Sequence, residues 1–110
     1  MYIYQNTPLQ ILGNKRNECI GLEHLGNCYI GLHAYPKSLE YLEKSLKITN
    51  DMDLAIAKIN VYFDYGSIAC HNQNYSEANQ YWNLSLENSI EINYQKGINL
   101  ANSALSHLLK

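Results

Sequence analysis

Cys19, His24, Cys28 and His33 are of the types that hold a zinc ion, and they fall within fifteen positions of one another. Tetrahedral zinc needs four such ligands converging at about 2 Å. On one helix, at about 100° per residue, His24 and Cys28 share a face while Cys19 and His33 turn away from it. The expected arrangement is a small, buried or half-buried Cys28 beside surface histidines, with no metal bound. Gly31-Leu32-His33-Ala34-Tyr35-Pro36-Lys37-Ser38 has the outline of a phosphate-binding loop with proline in place of its second glycine. That loop works through backbone N–H groups presented after a strand. Pro36 removes one of them, and no strand pattern precedes it. Cys70 and His71 are adjacent, so on a helix they diverge too far for a nucleophile and its base. Glu18, Glu23, Glu40, Glu43, Asp51 and Asp53 are expected on helix surfaces or in turns, as solvated charges. Neither catalysis nor a cofactor is expected.

The elements that position these residues are helices. Apolar spacing predicts helices over about 16–32, 36–49, 54–70, 75–92 and 95–109, and no alternating strand pattern occurs. In the first, Ile20, Leu22, Leu25, Tyr29, Ile30 and Leu32 form the expected inner stripe. In the fourth it is Ala78, Trp82, Leu86 and Ile90. Pro36 sits in the first turn of the second helix, where its missing N–H costs nothing. Asn50-Asp51-Met52-Asp53 and His71-Asn72-Gln73-Asn74 are expected to be linkers. Asn74 with Glu77 three residues on has the form of a capping box. Leu9-Gln10-Ile11-Leu12 before Gly13 is expected to close an earlier helix, with Gly13 as its stop.

The helices repeat with a period of forty. Leu22-x₂-Leu25-Gly26-x₂-Tyr29 with Ser38-x₃-Leu42 is answered by Tyr62-x₂-Tyr65-Gly66-x₂-Ala69 with Ala78-x₃-Trp82. Tyr35, Tyr41, Ser45 and Leu46 recur as Tyr75, Tyr81, Ser85 and Leu86. A third start, Leu105-Ser106-x₂-Leu109, follows. Such periods mark solenoids, in which each repeat buries a face only against its neighbours.

The pattern resembles the tetratricopeptide repeat, in its extended forty-residue variant similar to adaptors with Leu-Gly-Asn repeats. Gly13-Asn14-Lys15-Arg16-Asn17-Glu18 with Leu25-Gly26-Asn27 is the closest match, while the second repeat has Tyr65-Gly66-Ser67 and the third has Ser106 for the glycine. The resemblance implies an all-α fold: a right-handed superhelical solenoid of antiparallel helix hairpins, about two and a half repeats long. Residues 1–12 would be the tail of a preceding hairpin, 13–52 the first repeat, 53–92 the second and 93–110 the first helix of a partial third. It also implies a concave groove lined by the first helix of each hairpin, here by Glu23 and Asn27, Phe63 and Ser67, Ser103 and His107. Asn27 would pair with a ligand's backbone amide, and Phe63 would supply an apolar platform. The clamp of Lys, Asn and Arg by which chaperone-docking repeats take acidic C-termini is not expected, because Glu23 and Phe63 stand at its positions.

Bulk properties narrow the function. A net charge of −2 gives no general attraction to nucleic acid or anionic membranes, and no basic stripe appears. No apolar run is long enough to span a bilayer and no signal peptide opens the chain. Three cysteines make no even disulfide framework and suit a reducing, cytoplasmic home. The expectation is a protein–protein interaction scaffold that holds a partner's peptide or helix. The alternative is a structural or oligomerisation segment of a larger signalling or regulatory protein. For that alternative Leu105 and Leu109 are the expected end-face contacts, through further repeats or a second copy. Leaving about 300 Å² of apolar end surface wet would forgo ~7 kcal/mol.

Overall fold

The computed structural model describes the chain from Pro8 to Leu108, with side chains from Gly13 onward. It contains five helices: α1 (Pro8–Gly31), α2 (Tyr35–Met52), α3 (Ala55–His71), α4 (Tyr75–Glu91) and α5 (Gln95–Leu108), with no strand among the described residues. The chain is all-α, and each helix packs on its neighbours. α1 also touches α3, and α3 touches α5, whereas α2 and α4 do not meet. The Cα radius of gyration, 15.4 Å, exceeds the ~13 Å of a compact domain of this length. The molecule is a slab of 62 × 32 × 18 Å.

One turn joins all the helices, and it recurs every twenty residues. His33, Asp53, Gln73 and Asn93 are each left-handed, with φ of 58°, 52°, 62° and 55°. The next residue's N–H reaches back to the carbonyl five positions earlier: Ala34 to Tyr29, Leu54 to Thr49, Asn74 to Ala69 and Tyr94 to Ser89, at 2.8–3.1 Å. This long bond over a left-handed residue satisfies carbonyls that the helix end would orphan. Glycine usually takes that position, and none does here. The carbonyls of Ala34, Leu54, Asn74 and Tyr94 then accept the first bonds of the following helix, from Ser38, Lys58, Ala78 and Ile98. At Asn74, unlike Ala34 and Leu54, a side chain adds a cap, accepting from the Glu77 N–H at 3.4 Å while its amide donates to Glu77 Oε2 at 2.6 Å.

The helices approach closely through small residues. Gly26 lies against Leu42, where an added Cβ would fall 2.7 Å from two of its side-chain carbons, and Gly66 lies against the Trp82 indole. Buried hydroxyls complete the contacts. Ser38 Oγ donates to Gly26 O at 2.7 Å, Ser45 Oγ to Cys19 O at 3.0 Å and Ser85 Oγ to Ile59 O at 3.3 Å. The last two are one bond repeated forty residues apart. Three clusters make the core: Cys19, Leu54 and Ala57; then Ile30, Leu42, Val61 and Ile68; then Ala69, Ala78 and Trp82.

The structure corrects several sequence expectations. α1 runs through Gly13 without a stop. No glycine in the described residues has positive φ, so Gly13 costs the helix only about 1 kcal/mol against alanine. Asn50, Asp51 and Met52 belong to α2, and the linker shrinks to Asp53 and Leu54. Of the expected stripe on α1, Ile20, Leu25 and Leu32 are exposed, because among the described residues only α2 and α3 pack on this helix. On α4, Ile90 is exposed while Ser85 and Ser89 are buried, since Gly97 brings α5 against Ser89. Leu105 faces inward. With Ala104 and Leu108 it packs on the Ala69–Ala78–Trp82 cluster, and Leu109 lies outside the described residues. The side of α5 equivalent to the α4-facing side of α3 carries Asn99, Asn102, Ser103 and Ser106, all exposed.

Candidate functional site

Glu23, Phe63 and Ser103 stand forty residues apart, as do Asn27, Ser67 and His107, so each trio repeats one position on α1, α3 and α5. Contacts of α1 with α3 and of α3 with α5 bring these three helices side by side. Asn27, Ser103 and His107 are exposed, and Phe63 and Ser67 are half-buried. The Phe63 ring rests against Trp82, with centroids 6.0 Å apart. Its carbonyl accepts from Trp82 Nε1 at 3.0 Å and from Ser67 Oγ at 3.2 Å. The platform is therefore held by both its ring and its backbone.

Glu23 departs from expectation. It is buried, at 8% exposure, and meets a residue that the repeat pattern did not mark. Asp64 on α3 is 3% exposed. Asn27 Nδ2 donates to its Oδ1 at 3.1 Å, while Oδ2 has no donor near it. Burial first, then the hydrogen bond with Glu23 and the charge of Glu23, push the Asp64 carboxyl up to about 9, against a lowering by the Asn27 amide. The direction favours a proton held by the Asp64–Glu23 pair at neutral pH. Two carboxyls and an amide lock α1 to α3 beneath the exposed part of Asn27. A sequence signal for Asp64 existed: it stands three residues after Val61 and four before Ile68, on a stripe otherwise apolar. A buried acid there must be ion-paired, hydrogen-bonded or protonated.

One helical turn earlier on the same faces, three before Glu23 and three before Phe63, Ile20 and Asn60 open a cleft of about 520 Å³. Leu54, Ile56 and Ile92 line its apolar walls, and Arg16 reaches its edge. Its volume is within the range of small-ligand and side-chain pockets.

No family model, curated protein or solved structure matches the chain.

The metal and catalytic candidates are dispersed. Cys19 is buried, and Cys28 is exposed, against the expectation of a buried or half-buried Cys28. Burial pushes the Cys19 thiol up against the opposing hydrogen bond of Ser45, 3.2 Å away, which makes it a poor nucleophile. His24 Nε2 is 3.8 Å from Glu23 Oε1. His33 Nδ1 is 2.8 Å from the Tyr35 hydroxyl, and the His71 ring stacks on Tyr35, away from the half-buried Cys70. Among the described residues no three metal-binding side chains converge. Ser38 of the loop that mimics a phosphate site is buried and bonded to Gly26.

Proposed function

We propose that the chain is a non-enzymatic interaction scaffold. In this reading it is a short right-handed superhelical solenoid of antiparallel hairpins, resembling tetratricopeptide repeats, and it takes a peptide or helix of a partner protein along α1, α3 and α5. The carrying observation is the asymmetry between the two sides. The odd-numbered helices touch one another while α2 and α4 stand apart, which supports a curvature with the odd helices on the inside. That inner side combines an anchored aromatic platform at Phe63 with exposed polar side chains at Asn27, Ser103 and His107, plus an apolar cleft between Ile20 and Ile56. Bound peptides need such a mixture: one apolar side chain buried in a pocket and polar groups to hold the backbone. The forty-residue recurrence of the serine–carbonyl bonds and left-handed turns supports the solenoid reading. A cytosolic home suits three free cysteines. Among the described residues no helix is long and apolar enough to cross a membrane.

Affinity capture from a cell lysate with the intact chain and two variants tests the reading. Asn27→Ala with Phe63→Ala removes the amide and the platform, and Ser103→Arg with His107→Glu alters exposed positions where folding is indifferent. A protein retained by the intact chain and lost by both variants is the expected result, with circular dichroism showing both folded. The same proteins recovered by all three, or none by any, would instead leave a structural segment of a larger protein.

A further inference from the structure

α2 and α4 do not meet, so part of α3 lies in a trough between them, on the side of the even-numbered helices. A cleft of about 370 Å³ opens there, at the small end of the range for ligand pockets and suited to one long side chain. Leu39 and Leu46 of α2 and Ile68 of α3 give it apolar walls. Tyr65 and Tyr81 line it with ring centroids 5.2 Å apart, and Glu43 of α2 and Glu77 of α4 border it from the two flanking helices. No lysine or arginine lines it. Among the described residues neither carboxylate has an ion-pair partner, and Lys44 turns instead to Glu40, 3.6 Å away, and over the Tyr41 ring. The phenols register the uncompensated charge. Burial first, then Glu43, Tyr81 and Tyr62, push the Tyr65 hydroxyl up to about 12, and burial followed by Glu77 and Tyr62 pushes that of Tyr81 up as well. Surroundings that disfavour a phenolate favour a cation.

We propose that this cleft receives a basic side chain, lysine or arginine, from a segment of a partner protein. The aliphatic stem lies along Leu39, Leu46 and Ile68, with the charged head between Glu43 and Glu77 and against the Tyr65 and Tyr81 rings. Complementary charge selects this occupant. An uncharged side chain leaves two carboxylates without a counter-charge, and an acidic one is repelled. Residues 1–12 contain neither lysine nor arginine, so their side chains cannot supply the cation. Asn72, an exposed residue of the lining, can pair with a peptide backbone, which favours a protein segment over a small amine. The cleft shares no residue with the groove and does not depend on it.

The probes are acetylated, amidated pentapeptides Ala-Leu-X-Leu-Ala with lysine, arginine or norleucine at X, titrated into the full chain and followed by amide and methyl shifts. Saturable shifts centred on residues 39–46 and 65–81 are expected for lysine or arginine, in the low-millimolar range. Norleucine should bind about tenfold more weakly, and Glu43→Gln and Glu77→Gln should each weaken the basic peptide about threefold. Glu43 is exposed, so Glu43→Gln keeps the melting temperature. The Asn27→Ala, Phe63→Ala variant should bind like the intact chain, which separates this site from the groove. Norleucine binding as well as lysine and arginine would mean an apolar contact alone, and shifts confined to α1 and α5 would mean the groove. Absence of shifts at ~10 mM peptide would mean no such site, and n-butylamine binding as tightly as the peptide would mean a small amine. Each of these overturns the proposal. So would sedimentation showing a dimer that Glu43→Gln dissociates, since the occupant is then a second copy.

Discussion

Asp64 carries the most consequential chemistry of any single residue here. Burial, with Glu23 beside it, pushes its carboxyl up from the ordinary 3.8 to about 9, which favours a proton shared by the Asp64–Glu23 pair at neutral pH. Between those limits the folded state holds a proton that the unfolded state has released, so stability falls as pH rises. The melting temperature followed by circular dichroism should drop by roughly 5 °C or more from pH 5 to pH 9. Asp64→Asn keeps a donor for Glu23 without a titrating group, so its melting temperature should vary little over that range and exceed the parent's at pH 9. A parent with a flat profile would exclude the protonated pair. Glycines divide by surroundings in the same way. Gly66→Ala drives a methyl into the Trp82 indole and should cost about 1–3 kcal/mol in urea unfolding. Gly13 has open space around it, and Gly13→Ala should stabilise by about 0.5–1 kcal/mol.

At the scale of the elements, α5 decides what the end of the slab does. Leu105 packs on the Ala69–Ala78–Trp82 cluster, so Leu105→Asp should cost about 2–3 kcal/mol of stability and leave the sedimentation coefficient of the folded fraction unchanged. An end-face role would give the opposite pair of results. Sequence periodicity located all five helices, because Leu42, Trp82 and Ala101 fall where a 3.6-residue stripe requires. It placed Ile20, Leu25, Leu32 and Ile90 on inner faces, where the described helices leave them exposed. Ser38, Ser45 and Ser85 are buried, since each hydroxyl donates to the carbonyl of a closely approaching helix, and Ser89 is buried against Gly97; hydropathy treats all of them as surface. The turns were only half legible: their positions showed, but the left-handed His33, Asp53, Gln73 and Asn93 carry no glycine signal. The repeat-derived groove positions fall on three adjacent helices, while the Glu23–Asp64 pair required knowing which helices touch.

Over the whole molecule, elongation follows from neighbour-only packing: α1 never reaches α4 or α5 among the described residues. X-ray scattering should give a radius of gyration well above that of a globule of this length, with a longest dimension near 62 Å. Stability is then shared among successive interfaces instead of residing in one centre. The twenty-residue turn has a further consequence for how such a chain can grow. Asp53 and Asn93 leave their helices by the same geometry, and each is followed by the same first bond of the next helix. A second copy of residues 54–93 spliced in after Asn93 would therefore meet, at both seams, a junction the fold already makes. The gene could lengthen the array by duplication without a new loop having to be invented.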